Sequence, residues 1–538
     1  MKARTAVQTA LFVAILTLLS KVLGLVKNQF MAGYFGTNYI TDTLNISIAM
    51  PNMIFAGLLS ATATSFIPVF SKTIEKEGEC QANIFTSRAL NLVIIISVVS
   101  SLVGILLSRE VVTLFTMPDT AYPAGQGVLE KVLHFLTHGW TGERLELGSF
   151  YVKVTFSYCL FSSFAGILTS WLQYKKVFVA PVLAGYIVNF FTIAFILVAH
   201  RGGDPRLLVV GLFAGTAAHC VVIGFIAARK GFRYTFDWRM NEAVRRIFVL
   251  ALPVFVGGTV WQINLFVDKL LASGLREGSI ASLEFANLLI QMAPALTSGV
   301  IGTMLYPRLA QAHANEDRGR YSDILTTGLS VIVLLAVPFT LGALLYNGSL
   351  VHIVYARGAF GLESIELTST AFFYYAVGLP PQMLTPFLVQ AFYSLHDTKT
   401  PLYISFVMVA ANITLSLLLV GPLAHGGLAL GTSLAGFVCM VLMFVALLRR
   451  GKGAIQRGFL RKCLFTVIAS CVAVGASMPV FWYGGLLFAA RGWVLPRMVQ
   501  LGVAALVAVG VYLLLLRLLR VEELKHIRTM LRMGGTAD

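Results

Sequence analysis

Charge is scarce along this chain. Only 12% of its 538 residues are Asp, Glu, Lys or Arg, against roughly a quarter in a soluble globular protein. A water-solvated globule is therefore excluded. Acidic residues are the scarcest, 24 against 41 Lys and Arg, leaving a net charge of +17. In a soluble protein that excess would suggest nucleic acid. Here it reads as basic loops flanking apolar segments. No stretch is read as interleaving basic and aromatic residues in the manner of a nucleic-acid surface, so no nucleic-acid partner is expected. The six cysteines, Cys80, Cys159, Cys220, Cys439, Cys463 and Cys471, form no CxxC pair and mostly lie in apolar runs. A disulfide framework or zinc site is not expected from them. Walker loop, HExxH, GxSxG and the paired acidic motif of a membrane glycosyltransferase are also missing. The expectation is a non-enzyme without catalytic residues, metal or cofactor. Its work would draw on Na⁺ or H⁺ coupling, the membrane potential, or the substrate's own gradient.

What the chain has is apolar length. Hydrophobic residues make up 57% of it, and the mean hydropathy is +0.81. Apolar runs recur, each long enough to cross a hydrocarbon core of about 30 Å. Long runs, rather than short alternating strands, predict an all-α polytopic membrane protein and not a barrel. The window rule gives about 14 transmembrane helices. The first covers Thr5–Tyr34 and is read as uncleaved despite its signal-like start. The second covers Ile40–Phe70, with Pro51 inside it, and the third Leu90–Leu107, beyond a charged loop at Lys72–Glu79. Three further spans end at Ala228. The basic connector from Arg229 to Arg246 separates them from six more, and Arg449–Lys462 leads to the last two.

The expected organisation is residues 1–229 as an N-terminal lobe, 230–450 as a C-terminal lobe, and 451–538 as two closing helices with a basic tail. Arg109–Gly148 is a polar insertion in the first lobe. Val128, Leu129, Val132, Leu133 and Leu136 share one helical face there, which suits either a helix at the membrane surface or a packed loop helix. Basic residues collect at Lys2/Arg4, Lys72/Lys76, Lys175/Lys176, Arg229–Arg246, Arg308–Arg320 and Arg449–Lys462. That side is read as cytoplasmic, with both termini on it and Arg201, Arg206, Arg276, Arg357, Arg491 and Arg497 as exceptions.

The two lobes repeat one another. Phe30–Asn52 lines up with Leu270–Pro294, and Leu172–Asn189 with Leu395–Asn412, in the same direction. Parallel repeats in transporters place the substrate site between halves, near the midplane.

Against this apolar background a few charges stand out. Lys21, Lys27 and Asp42 lie in the first hairpin, and a charge at such a depth costs about 2.5–3.5 kcal/mol on insertion scales. The lysines are read as sharing nearly one face and forming a cationic patch for an anionic headgroup. A snorkelling lysine is the simpler reading for either. Asp42 is read as their counter-charge or as a cap of the second helix. Asp268 is a candidate for ion coupling together with polar groups inside spans, Asn412 and Thr432 among them; interhelical hydrogen bonding is the simpler role of such groups.

These residues also carry a resemblance. SKVLGLVKNQFMAGYFG…TDTLNISIAMPN, from Ser20 to Asn52, resembles the opening of the MurJ (MviN) lipid II flippases of the multidrug/oligosaccharidyl-lipid/polysaccharide exporter superfamily. YARGAFG (Tyr355–Gly361), the stretch Gly378–Pro401, GGLALGTSLAG (Gly426–Gly436) and Gln262–Leu289 extend the likeness over nearly the whole chain. The resemblance implies two lobes of six helices around a central cavity, with two last helices forming a lipid-facing groove. It implies a flippase that moves undecaprenyl-pyrophosphate-linked disaccharide-pentapeptide from the inner to the outer leaflet of a bacterial cytoplasmic membrane by alternating access. Membrane lipids and cell-wall synthesis proteins are its implied surroundings, and a monomer its expected state. Lys21 and Lys27 stand where the family usually has arginine, which keeps charge but loses bidentate pairing to phosphate. Phe55 and Leu288 stand where the family often has arginine. Those two departures keep open a flippase of another polyprenyl-pyrophosphate-linked polysaccharide; a MATE-like drug/cation antiporter and a non-transporting scaffold are the remaining alternatives.

Overall fold

The structure is a computed structural model that describes residues 2–117, 140–239, 245, 255, 262–295, 305–450, 456, 458–488 and 494–519. Every regular element among the described residues is a helix. Among the described residues eight helical segments are long and apolar enough to cross a membrane. Two of them are longer than one crossing needs: Ser65–Leu106, of 42 residues, and Lys399–Arg449, of 51. Each is broken once, at Gly78 (φ 83°) and at Ala424 (φ 48°) respectively. The amphipathic segment expected around Val128–Leu136 lies outside the described residues.

The chain divides into two compact units, one of Met1–Ala281 with Arg357–Phe360, the other of Ser282–Ala356 with Gly361–Asp538. The first holds α1 (Lys2–Phe35), α2 (Tyr39–Leu106), α3 (Ser108–Leu114), α4 (Gly142–Tyr174), α5 (Ala180–Gly202) and α6 (Leu207–Arg229). A helical stretch over 262–273 closes it. Helix α2 continues through the charged stretch at Lys72–Glu79 that was expected to be a loop; only Gly78 leaves the helix. Its core is aromatic. Phe66 stacks on Phe70 and Phe85 at 5.3 and 5.7 Å, and Trp171 meets Phe232 edge to face.

Pro51 cannot donate to the carbonyl four residues back, which is that of Ser47. The Thr155 hydroxyl of α4 donates to this oxygen instead, at 3.0 Å. A proline is tolerated in a membrane helix where a neighbour supplies the missing donor. The expected insertion Arg109–Gly148 is helical at both described ends, which continue α3 and α4. Ser108 and Ser149 share a hydrogen bond of 2.9 Å, and Arg109 pairs with Glu146.

The second unit takes most of α7 (Ser279–Ile290), then α8 (Tyr306–Ala314), α9 (Arg318–Leu345), α10 (Asn347–Tyr355), α11 (Leu362–Val377), α12 (Leu379–Ser394), α13 (Lys399–Arg450), α14 (Phe459–Phe488) and α15 (Val494–Leu518). The proline device recurs here. Pro338 in α9 leaves the Leu334 carbonyl without its helical donor, and the Tyr512 hydroxyl of α15 supplies one at 2.8 Å. Tyr512, Leu516, Ala469 and Ala473 bury against Leu334, seating α14 and α15 on α9. Leu460, Trp482 and Leu506, on the same two helices, stay exposed, as side chains that meet lipid do. Between α11 and α12 the helix breaks at Gly378, whose missing side chain lets Ser433 of α13 pack against it.

Candidate functional site in the first helical hairpin

Helix α1 packs on α5 through small residues. Tyr186 donates its hydroxyl to the Leu16 carbonyl at 2.8 Å, Ser20 fills the space over Gly185, and Gly24 lies against Asn189. Leu16, Ser20 and Gly24 are four apart and make one stripe. Lys27, three turns beyond Leu16, falls on the same stripe. It is half-buried, whereas Lys21 is exposed. The two lysines do not share a face: six residues turn an α-helix through about 600°, which leaves them about 120° apart. One cation thus lies on the packed stripe and the other away from it. Near the end of α1, the Tyr34 ring packs at a tilt on His200 of α5, with ring centroids 4.2 Å apart.

The turn after α1 is capped by Asn38. Its side chain accepts from the Thr41 amide at 3.1 Å, so Asp42 is not the cap of α2. Nor is it bonded to the lysines as a counter-charge. Asp42 is buried, and its two carboxylate oxygens accept the backbone N–H groups of Gly278 and Ala281 at 2.6 and 2.7 Å. Those donors open α7, so Asp42 caps a helix more than two hundred residues away. A carboxylate at a helix N-terminus satisfies orphan donors and meets the positive end of the helix dipole.

Other bonds converge on the same place. Glu277 accepts from the Tyr39 amide at 2.8 Å, and Arg144 lies 3.9 Å from its second oxygen and 5.3 Å above the Trp140 ring. Trp140 donates its indole N–H to the Ser273 carbonyl, and the Met117 amide donates to the Ser273 hydroxyl. Gly278 has φ +86°, and a Cβ there would lie 2.7 Å from the Thr37 carbonyl. Only glycine fits that conformation and that approach. A further tie comes from YARGAFG: the Ala359 amide donates to the Gly33 carbonyl at 2.7 Å, where Gly358 leaves no room for a side chain. Sequence reasoning missed Arg144, Ser273, Glu277 and Gly278 in this cluster. The GLREGS turn carried a signal for the last, since a glycine next to a helix start often marks positive φ.

Asp268 and Asn264 are buried in the helical stretch over 262–273, in the first unit. Asn412 and Thr432 belong to the second, where the Asn412 amide donates to the Thr432 hydroxyl at 3.1 Å. Phe55 is 1% exposed and fills the interior of the first unit, while Leu288 is partly buried in the second. Among the described residues no group of three or more His, Cys, Asp or Glu is placed to hold a metal.

A family model described as lipid II flippase MurJ matches residues 31–503. The probable lipid II flippase MurJ of Rickettsia prowazekii is 25% identical over 524 residues, covering 94% of this chain and 96% of its own length. That of Rhizobium tropici is 27% identical over 533 residues, covering 96% and 95%. Among solved structures, a lipid II flippase MurJ in an inward closed conformation superposes with a TM-score of 0.76 at 20% identity, over 95% of this chain and 99% of that one. An inward-facing MATE-family multidrug resistance transporter of the MOP superfamily superposes at 0.63, with 13% identity over 85% and 98%. These two likenesses give the fold, an all-α membrane architecture shared with MurJ and MATE transporters. With the family model spanning most of the sequence, the chain belongs to the lipid II flippase MurJ family.

Proposed function

We propose that the protein flips lipid II, the lipid-linked peptidoglycan precursor, from the inner to the outer leaflet of a bacterial cytoplasmic membrane by alternating access. The observation that carries this reading is the family match over residues 31–503. The hairpin chemistry supports it. An apolar helix carries two cations whose cost a bound anion would offset, and a pyrophosphate is the anion such a substrate offers. Lys27, on the packed stripe of α1, is placed to hold charge away from bulk water, where it counts for more. Lys21, exposed, is the second proposed contact. Asp42 contributes by fixing the turn rather than by touching substrate.

In alternating access the side bearing this turn has to open. Separating the hairpin tip from residues 273–281 and 357–360 breaks the two Asp42 bonds, the Glu277–Tyr39 bond and the Ala359–Gly33 bond. Each is individually modest, about 0.5–1.5 kcal/mol net for a neutral bond and more for one to a carboxylate. The set is strong enough to hold one state and weak enough to release. Coupling to Na⁺, H⁺ or the membrane potential supplies the drive, with Asp268, Asn412 and Thr432 as the candidate ion groups. Basic loops support a cytoplasmic side for both termini, and the proposed working form is a monomer alongside cell-wall synthesis proteins.

A flippase of another polyprenyl-pyrophosphate-linked glycan is the second reading. It is favoured by Phe55, an apolar, fully buried side chain where the resemblance implies a cation. Complementation separates the two. Expression in a strain depleted of its lipid II flippase restores growth if lipid II is carried; a well-expressed, correctly inserted protein that leaves the strain lysing sinks the lipid II reading.

A further inference from the structure

The connector that follows α6 was expected to be a plain basic linker without aromatic interleaving. Its residues contradict that: Arg229, Lys230, Phe232, Arg233, Tyr234, Phe236, Trp238 and Arg239 alternate cation and ring almost without interruption. After a turn at Gly231 (φ 94°), the segment over 232–239 is neither helix nor strand. It is pinned along α2 by backbone and side-chain bonds. Thr235 donates its amide to the Ser87 hydroxyl at 3.1 Å, and Asn91 donates to the Asp237 carbonyl at 2.9 Å. Arg88 pairs with the Asp237 carboxylate at 2.6 Å. Phe232 is buried against Trp171, and Tyr234 donates its hydroxyl to Asn91 at 2.6 Å.

Two rings of the segment are nevertheless left open to the outside. Phe236 is 73% exposed and Trp238 51% exposed, their rings edge to face at 5.2 Å. They flank an open cleft of about 700 Å³ whose lining includes Asp237 and Arg239. Two large rings held out by a fixed backbone are not loose loop residues. Within 229–239 the one acid, Asp237, is taken up by Arg88, while Arg229 lies over the Phe225 ring and Lys230, Arg233 and Arg239 keep the strip basic. The segment begins at the last residue of an apolar helix of 23 residues that is long enough to cross a membrane. Tryptophan with basic residues at the end of a span is the chemistry of an anionic membrane surface.

We propose that the 229–239 connector is a built lipid-docking strip: Phe236 and Trp238 insert into the interface of the leaflet while Arg233 and Arg239 hold anionic phospholipid headgroups, fastening the first unit to the membrane where the chain leaves it. An acidic soluble protein is the competing occupant of such a surface. The basic charge suits both, but the position at a span end puts lipid within reach at all times.

The test uses the full chain in nanodiscs. Emission of Trp238 is isolated as the difference between the wild type and Trp238→Phe, and its quenching is compared for brominated phosphatidylglycerol and brominated phosphatidylcholine. Both lipids should quench it, with phosphatidylglycerol preferred about fivefold for each headgroup-facing arginine. The preference should fall towards unity in Arg233→Gln/Arg239→Gln, and in the wild type at high salt, a control that needs no variant to fold. Trp238 quenched by aqueous acrylamide and indifferent to brominated lipid overturns the proposal. So does a Trp238 shielded only when a soluble protein partner is added.

Discussion

At the scale of single residues, Asp42 is the most constrained group in the hairpin. Both of its oxygens face backbone N–H donors. Asp42→Asn replaces one acceptor with an NH₂ group, which cannot satisfy a donor, so the Gly278 or Ala281 amide is left unpaired. A buried unsatisfied group costs about 1–3 kcal/mol. Thermal unfolding of the purified variant in detergent should show a lower midpoint than wild type, and an unchanged midpoint would mean the carboxylate is not what holds the turn. Gly278→Ala should be at least as harmful, since it adds strain at φ +86° to an overlap with Thr37. Apart from the glycine of the GLREGS turn, little of this was legible in the sequence. Asp42 announced itself as a charge out of place, but its partners lie 236 and 239 residues away. Local spacing points a charged residue to neighbours within a turn or two, so the lysines and the start of α2 itself were the partners in view.

The helices themselves were far more legible. Apolar runs of membrane length, separated by basic loops, identified the architecture, because a backbone in lipid has to satisfy its own polar groups and a helix does so within one segment. Boundaries were less so: α2 runs through Lys72–Glu79 because nothing there breaks a helix until Gly78. Pro51 was legible as a kink, while the hydroxyl that repairs it was not. Both repaired prolines make the same prediction. Thr155→Val leaves the Ser47 carbonyl without a donor, and Tyr512→Phe does the same to Leu334. Interhelical bonds in membrane proteins average about 0.6 kcal/mol, with a maximum near 1.7, and a proline-freed carbonyl should lie towards the upper end. Reversible unfolding in mixed micelles should show each variant losing about 1–2 kcal/mol, and Thr155→Ser, which keeps the hydroxyl, losing less than Thr155→Val. Equal losses for serine and valine would assign the effect to packing.

The elements of the connector carry a pH consequence as well. The Arg88 guanidinium beside Asp237 holds its carboxyl below the usual carboxylate range. A depressed folded-state value means the pair's contribution is fully present above the unfolded value and is lost only as pH falls through the lower, folded one. Trp238 emission should therefore stay constant from neutral pH down to the ordinary carboxylate range and change below it. A change centred near neutrality would contradict the Arg88–Asp237 tie.

At the scale of the whole molecule, the family and the fold come from patterns spread over the entire chain, and they withstand local departures such as Phe55. The charges that give the family its chemistry are few, and each sits in a particular register. Lys21 and Lys27 were found because charge is rare in an apolar helix; that they diverge around α1 follows from their spacing of six. On the proposed function, a cation on the packed stripe and one off it would meet an anion in succession rather than together. The drive is a property of the whole assembly too. Collapsing the membrane potential with an ionophore, or removing Na⁺, should each be tried on reconstituted protein; loss of flipping on Na⁺ removal alone would assign coupling to the ion, and persistence under both would leave the substrate gradient as the source.

The most direct test is leaflet-specific flipping of lipid II by the reconstituted protein and its Lys27→Ala, Lys21→Ala and Lys27→Arg forms. If the hairpin cations hold the pyrophosphate, the wild type transfers lipid II, Lys27→Ala loses at least about tenfold in rate, as removal of a charge-assisted contact of about 1.5–3 kcal/mol requires, Lys21→Ala loses less, and Lys27→Arg keeps most of the activity. Wild-type flipping that survives Lys27→Ala and Lys21→Ala together, in protein that is folded and inserted, would contradict the account.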